Sequence, residues 1–361
     1  MKSIVKKTIL AVKPYVPGKP IEEVKRELRL RDVIKLASNE NPYSPSPKVL
    51  KAITQASKEL NRYPDGDCHY LRKALAGKLN VSGKQLIFGN GSDELIVLAV
   101  RAFAGKGDEV VIAKPSFLIY SIVSAIAGAK VKAVPLKDFR YDLDAMKKAV
   151  TRKTKIIFLG NPDNPSGMYF TEKEIRSFLK GLRRNILVFI DEAYYEYVNA
   201  RDYVDSLKLL RSYKNVIVTR TFSKMYGLAG LRIGYGIANA QLIDLLNRIR
   251  EPFNVNSLAQ VAAMVVLKDR AYYRGLAKKV NVQRKYLHES FKKLNLDFVA
   301  SRTNFILVKT NDHSGNVAKK LLKKGIIVRD MSVWGLRRFI RVTIGSAQEN
   351  KRLIKTLKEI L

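Results

Sequence analysis

Four polar clusters in the chain could do chemistry together, and each stands directly after an apolar, β-rich run. Thr221-Phe222-Ser223-Lys224, with Arg232 eight residues beyond the lysine, offers a nucleophilic amine beside hydroxyls and a guanidinium. Asp191, in Asp191-Glu192-Ala193-Tyr194, closes the apolar run Ile186–Ile190. A carboxylate there is costly to bury unless it meets a cation. Asn164, in Asn161-Pro162-Asp163-Asn164-Pro165-Ser166-Gly167, puts an amide donor after Lys155–Leu159. Gly89-Asn90-Gly91-Ser92-Asp93-Glu94 frees the backbone and then opens an apolar helix, which makes an anion site. It lacks the third glycine of a dinucleotide fingerprint and the Lys-Ser/Thr of a Walker loop. Each cluster also has a plainer reading: ordinary surface, a helix cap, a loop of two Asn-Pro turns, a glycine turn.

In an open α/β sheet, ligands bind at the carboxyl ends of the strands, so the order of elements matters. Strands are predicted at Gln85–Phe88, Glu109–Ala113, Lys130–Val134, Lys155–Leu159, Ile186–Ile190, Val216–Arg220 and Arg232–Gly236, with helix-period segments such as Ser92–Phe103 between them. Another helix starts at Thr171, with Glu174 completing a capping box. This alternation predicts an α/β fold: a mostly parallel sheet sandwiched by helices. After Glu251-Pro252 the pattern changes to long helices, Ser257–Lys268 and Tyr272–Leu294. A compact α+β tail follows, with strands near Asn304–Val308, Ile326–Val328 and Phe339–Ile344 and a last helix, Gln348–Ile360. The expected division is an arm that also contributes to the small domain (1–40), a large domain (41–252) and a smaller C-terminal α+β domain (253–361).

The four clusters converge on one cofactor, pyridoxal 5'-phosphate. It needs a lysine, a carboxylate opposite the pyridine nitrogen, donors on the phenolic oxygen and an anion cradle. Lys224, Asp191, Asn164 with Tyr194, and Gly91 to Asp93 with Arg232 supply these parts. The chain resembles the fold-type-I aminotransferases and, within them, the histidinol-phosphate aminotransferases, from Pro14 to about Asn350. The resemblance is carried by Pro14-Tyr15-Val16-Pro17-Gly18-Lys19-Pro20, Ser38-Asn39-Glu40-Asn41-Pro42, Arg62-Tyr63-Pro64-Asp65, the four clusters, Val328-Arg329-Asp330 and Ile340-Arg341-Val342-Thr343-Ile344-Gly345.

The resemblance implies a role for each residue. Lys224 carries the cofactor as a Schiff base and later moves a proton at the substrate. Asp191 pairs with the pyridinium nitrogen, Asn164 and Tyr194 bond the ring's 3-oxygen, and Phe117 stacks on the ring where relatives often have tyrosine. Ser92, Asp93, Thr221, Ser223 and Arg232 hold the phosphate, and Tyr63 reaches it from a second subunit, which implies a homodimer. Arg341 grips an α-carboxylate and Arg329 meets the phosphate of histidinol phosphate, with Tyr15 and Asn39 near the substrate. A surface ion pair of Arg329 with Asp330 is the alternative for that arginine, and Arg337 and Arg338 are expected to face solvent. The implied reaction exchanges an amine between histidinol phosphate and 2-oxoglutarate, a step of histidine biosynthesis. An aromatic-amino-acid aminotransferase or a threonine-phosphate decarboxylase could use the same scaffold.

Composition narrows the rest. The 361 residues carry a net charge of +35. The lysines and arginines are spread in pairs rather than gathered in a tail, which reads as a solvated basic surface able to steer anionic substrates. A non-catalytic nucleic-acid-binding protein is the remote alternative. One cysteine, Cys68, excludes an internal disulfide and fits a reducing compartment, so a cytoplasmic protein without a membrane span is expected. The three histidines lack ligand spacing, so no metal is expected.

Overall fold

The structure, a computed structural model, describes residues 4–361. Eleven strands form two sheets. β2 (Leu86–Asn90), β3 (Glu109–Lys114), β4 (Lys130–Pro135), β5 (Thr154–Gly160), β6 (Leu187–Asp191), β7 (Val216–Thr221) and β8 (Ile233–Ala238) make the larger sheet, in the order β2-β8-β7-β6-β5-β3-β4. From β7 through β4 every pairing is parallel. β8 runs antiparallel to both β7 and β2. The segment between Thr221 and Ile233 holds no crossover helix, so the chain returns beside β7 in the opposite sense.

The central strands are buried on both faces, which is why they read as unbroken apolar runs rather than alternating ones. Alternate residues feed two separate cores. Ile156, Phe158, Phe189 and Ile217 pack under the helices Ser92–Phe103 and Leu118–Ile126. Ile157, Leu159, Val188, Ile190 and Val218 pack on the other face, with Ile175, Phe178 and Leu179 of the helix Glu172–Lys180. That helix begins at the expected capping box, with Thr171 and Glu174 each bonding the other's backbone N–H.

β1 (Ile34–Leu36), β9 (Phe305–Lys309), β10 (Ile326–Asp330) and β11 (Phe339–Thr343) form the second sheet, in the order β1-β10-β11-β9. β1 lies parallel to β10, with Ile34, Lys35 and Leu36 paired to Ile326, Ile327 and Val328. β11 runs antiparallel to β10 and β9, and its register sets Arg341 opposite Arg329. Helices Ser314–Lys323 and Ala347–Ile360 cover the sheet through Leu321, Leu353 and Leu357.

The expected strands differ from the observed ones by one or two residues at their ends. The clearest case is Arg232, expected to start a strand. Its φ of +56° is left-handed, so the strand begins only at Ile233. Among the described residues no helix is long and apolar enough to cross a membrane, and no group of three His, Cys, Asp or Glu side chains could hold a metal.

Candidate active site

The carboxyl ends of β5, β6 and β7, the helix after β2, and β10 and β11 of the small sheet converge on one cleft of about 390 Å³. Asp191 ends β6 at its floor. Its Oδ2 accepts a hydrogen bond from the Tyr120 hydroxyl at 2.8 Å and its Oδ1 accepts one from the Ala193 N–H at 3.1 Å. Burial pushes the carboxyl up to about 6, against the pull of these two donors. A cationic ring nitrogen placed against it would reverse that shift.

Lys224 follows β7. Its ammonium reaches the Ser38 carbonyl at 3.4 Å and stands 5.8 Å from the centre of the Tyr194 ring. Burial first, and then the charge of Arg341, bring its pKa down to about 8. More of the amine than in an ordinary lysine is therefore neutral and nucleophilic near physiological pH.

The helix Ser92–Phe103 starts at Gly91, whose φ of +76° suits glycine, and no side chain caps it. Its first N–H groups are left for an anion, with the positive end of the helix dipole behind them. Thr221, Ser223 and Arg232 line the same corner. The Arg232 guanidinium is held by the Ala229 carbonyl at 3.1 Å, the Ser223 hydroxyl at 3.5 Å and Asp93 at 3.6 Å. Gly234 on β8 lies so close that a Cβ there would stand 2.5 Å from the Ser92 nitrogen.

Asn164, Tyr194 and Arg341 crowd the middle of the cleft. The Asn39 amide donates to the Tyr194 hydroxyl at 2.9 Å. Arg341 donates to the Asn164 side-chain oxygen and, at 3.1 Å, to the Ala37 carbonyl, while its Nε has no partner. Arg329 and Tyr15 close the outer side. Asp330 does not neutralise Arg329, because Ser314 and Ser332 bind its carboxylate. Arg337 and Arg338 face solvent.

Every expected site residue but one lines this cleft. Tyr63 stands apart from the cleft, 83% exposed and stacked on Phe253 at 4.8 Å. Sequence reasoning missed Tyr120, Trp334 and Glu40, all cleft residues. Tyr120, three residues after Phe117, gave a usable signal: one helical turn places it below that ring, and it meets Phe117 edge-on at 5.6 Å. Glu40 stood next to Asn39 in the Ser38–Pro42 segment without a role, and Trp334 gave no local signal.

The donor set fits pyridoxal phosphate. Among the described residues no cation stands against the buried Asp191 carboxyl, the Gly91–Ser92 corner is a cradle that one extra methyl would block, and the lysine is partly neutral. The family model for class I and II aminotransferases matches residues 31–357. The chain belongs to that family. A histidinol-phosphate aminotransferase of Moorella thermoacetica is 48% identical over 99% of this chain and 92% of its own length. That of Halalkalibacterium halodurans is 44% identical, over 99% and 97%. The solved histidinol-phosphate aminotransferase of Sinorhizobium meliloti, in complex with pyridoxal-5'-phosphate, superposes with a TM-score of 0.92 at 29% identity, over 99% of both chains. This aminotransferase therefore has the fold-type-I architecture and uses pyridoxal phosphate.

Proposed function

We propose that the protein exchanges an amino group between histidinol phosphate and 2-oxoglutarate, working in the cytoplasm as a homodimer. The observation that carries this reading is the pair Arg329 and Arg341, opposite one another across β10 and β11 and both in the cleft with Lys224. One cation suits the carboxylate of glutamate and the other suits a phosphate, and the substrate in the relatives' names, histidinol phosphate, carries a phosphate.

Pyridoxal phosphate, when bound, supplies a carbonyl that takes up and releases the amine and a ring that accepts electrons from the substrate carbon. The chain supplies everything else. Lys224 holds the cofactor and moves the proton at the substrate's α-carbon, a task suited to an amine of pKa about 8. Asp191 keeps the ring nitrogen protonated. Asn164 and Tyr194 donate to the ring oxygen, while the Gly91–Asp93 backbone, Thr221, Ser223 and Arg232 anchor the phosphate. Phe117 covers the ring. Arg341, already fixed by Ala37 and Asn164, receives the α-carboxylate, and Tyr15 and Asn39 border the substrate. The exposure of Tyr63 supports a second copy that carries this hydroxyl into the neighbouring cleft. In this reading residues 41–252 bind the cofactor, and 253–361 with the 1–40 arm bring the two arginines. The single cysteine is in keeping with a reducing compartment.

Purified protein loaded with cofactor should turn over histidinol phosphate with 2-oxoglutarate far faster than phenylalanine, and should release no carbon dioxide from O-phosphothreonine. Arg329→Ala should lower kcat/KM for histidinol phosphate at least ~tenfold more than for an unphosphorylated amine. Equal losses for both amines would refute the phosphate assignment.

A further inference from the structure

Arg329 has no acidic partner among the described residues and is held by a carbonyl and two rings instead. Its Nη2 donates to the Val16 carbonyl at 2.7 Å, and its guanidinium carbon lies 4.9 Å from the centre of the Trp334 indole and 5.8 Å from that of the Tyr15 ring. Trp334 is itself anchored. It is 6% exposed, packs with Val299, Leu307 and Met331, and its indole N–H donates to the Ser116 carbonyl at 3.0 Å. Ser116 precedes Phe117 on the loop after β3, in the larger sheet's unit, whereas Trp334 follows β10 in the smaller one.

We propose that Trp334 is a positioning residue that makes Arg329 selective for a phosphomonoester, by packing its indole against the guanidinium and tying it to the loop of Phe117. This rests on the substrate reading above. The five N–H donors of a guanidinium lie in its own plane, so a ring packed on one face decides where all of them point. Contact with the indole also shields that face from water, which strengthens the charge for an anion approaching in the plane. A lysine could not be oriented in this way. The Ser116 hydrogen bond adds a second effect: it ties the Trp334 segment to the loop that carries Phe117. The distance from phosphate to reactive amine is then set by the protein rather than by the substrate.

The test uses the cofactor-loaded enzyme and the separate half-reactions with glutamate and histidinol phosphate. Trp334→Leu should raise KM for histidinol phosphate ~tenfold more than KM for glutamate. Trp334→Phe keeps a ring face, loses the N–H and should recover most of that difference. Equal effects on both substrates, or no recovery by phenylalanine, overturn the proposal. A second readout needs no turnover. Trp334 is the chain's single tryptophan, so inorganic phosphate should change the emission of the wild-type holoenzyme and leave that of Arg329→Ala unchanged. An emission indifferent to phosphate in both also overturns it, and this arm stands even where Trp334→Leu does not fold. If wild-type enzyme ignores histidinol phosphate altogether, the substrate reading fails and the phosphate titration alone judges Trp334.

Discussion

The Tyr120 hydroxyl donates to Asp191 Oδ2 at 2.8 Å, and the same ring lies flat on Phe158 at 4.7 Å. The acid expected to face the cofactor's ring nitrogen is therefore oriented by a phenol that the core holds rigid. The hydrogen bond lowers the Asp191 pKa and desolvation raises it, leaving it near 6. Tyr120→Phe removes the lowering contribution, so the pKa rises. Because a cationic ring needs the ionised acid, cofactor affinity should fall ~fivefold at neutral pH and more steeply on mild acidification. Equilibrium titration of the cofactor between pH 5.5 and ~8 checks this; an unchanged profile would mean that Tyr120 only packs.

Lys224 and Arg341 repel each other, which contributes to the lysine's depressed pKa of about 8, against an ordinary 10.5. Arg341→Met removes that repulsion, so the lysine pKa must climb, although burial still restrains it. Only the neutral amine captures the cofactor's aldehyde. The rate of cofactor attachment should therefore show its pH midpoint moved upward, with slower capture at pH ~7. A midpoint that stays or falls contradicts the electrostatic account.

Glu192 and Arg220 form a buried ion pair at 2.9 Å, and Arg220 also lies over the Tyr195 ring at 3.7 Å. Removing either partner strands the other charge away from water. Glu192→Ala or Arg220→Met should each cost ~3–5 kcal/mol of stability, while the double variant should cost less than the sum. Denaturant unfolding of the three variants provides the comparison, and additive losses would show that the charges do not interact.

Gly234→Ala would drive a methyl to 2.5 Å from the Ser92 nitrogen and 2.8 Å from the Gly91 carbonyl carbon. The helix start must shift, so cofactor affinity should drop by ~tenfold or more. Gly275→Ala is the control: it sits in the helix Arg270–Lys293 with nothing within 4 Å, and should stabilise the protein by ~0.5–1 kcal/mol without touching cofactor binding.

What could be read from sequence follows from the range of the forces involved. Lys224, Asp191 and Asn164 were legible because each is a costly or reactive group placed directly after an apolar strand, a purely local pattern. The helix Ser92–Phe103 matched its expected ends because its start is written in Gly91, Asp93 and Glu94. The bond between Tyr120 and Asp191 was not legible, because the two are 71 positions apart and meet only once β3, β5 and β6 are side by side. Glu192 and Arg220 are joined in the same way by the β6–β7 register. β1 is three residues long, too short to show any period, and owes its conformation to β10. The direction of β8 was hidden too, since an apolar run reads alike in either sense.

Arg329 and Arg341 are direct cross-strand partners, so their side chains leave the same face of the small sheet. Two like charges held there weaken the pairing of β10 and β11 until something negative arrives. An anion bound between them relieves that repulsion, so occupancy of the cleft adds to the stability of the folded chain.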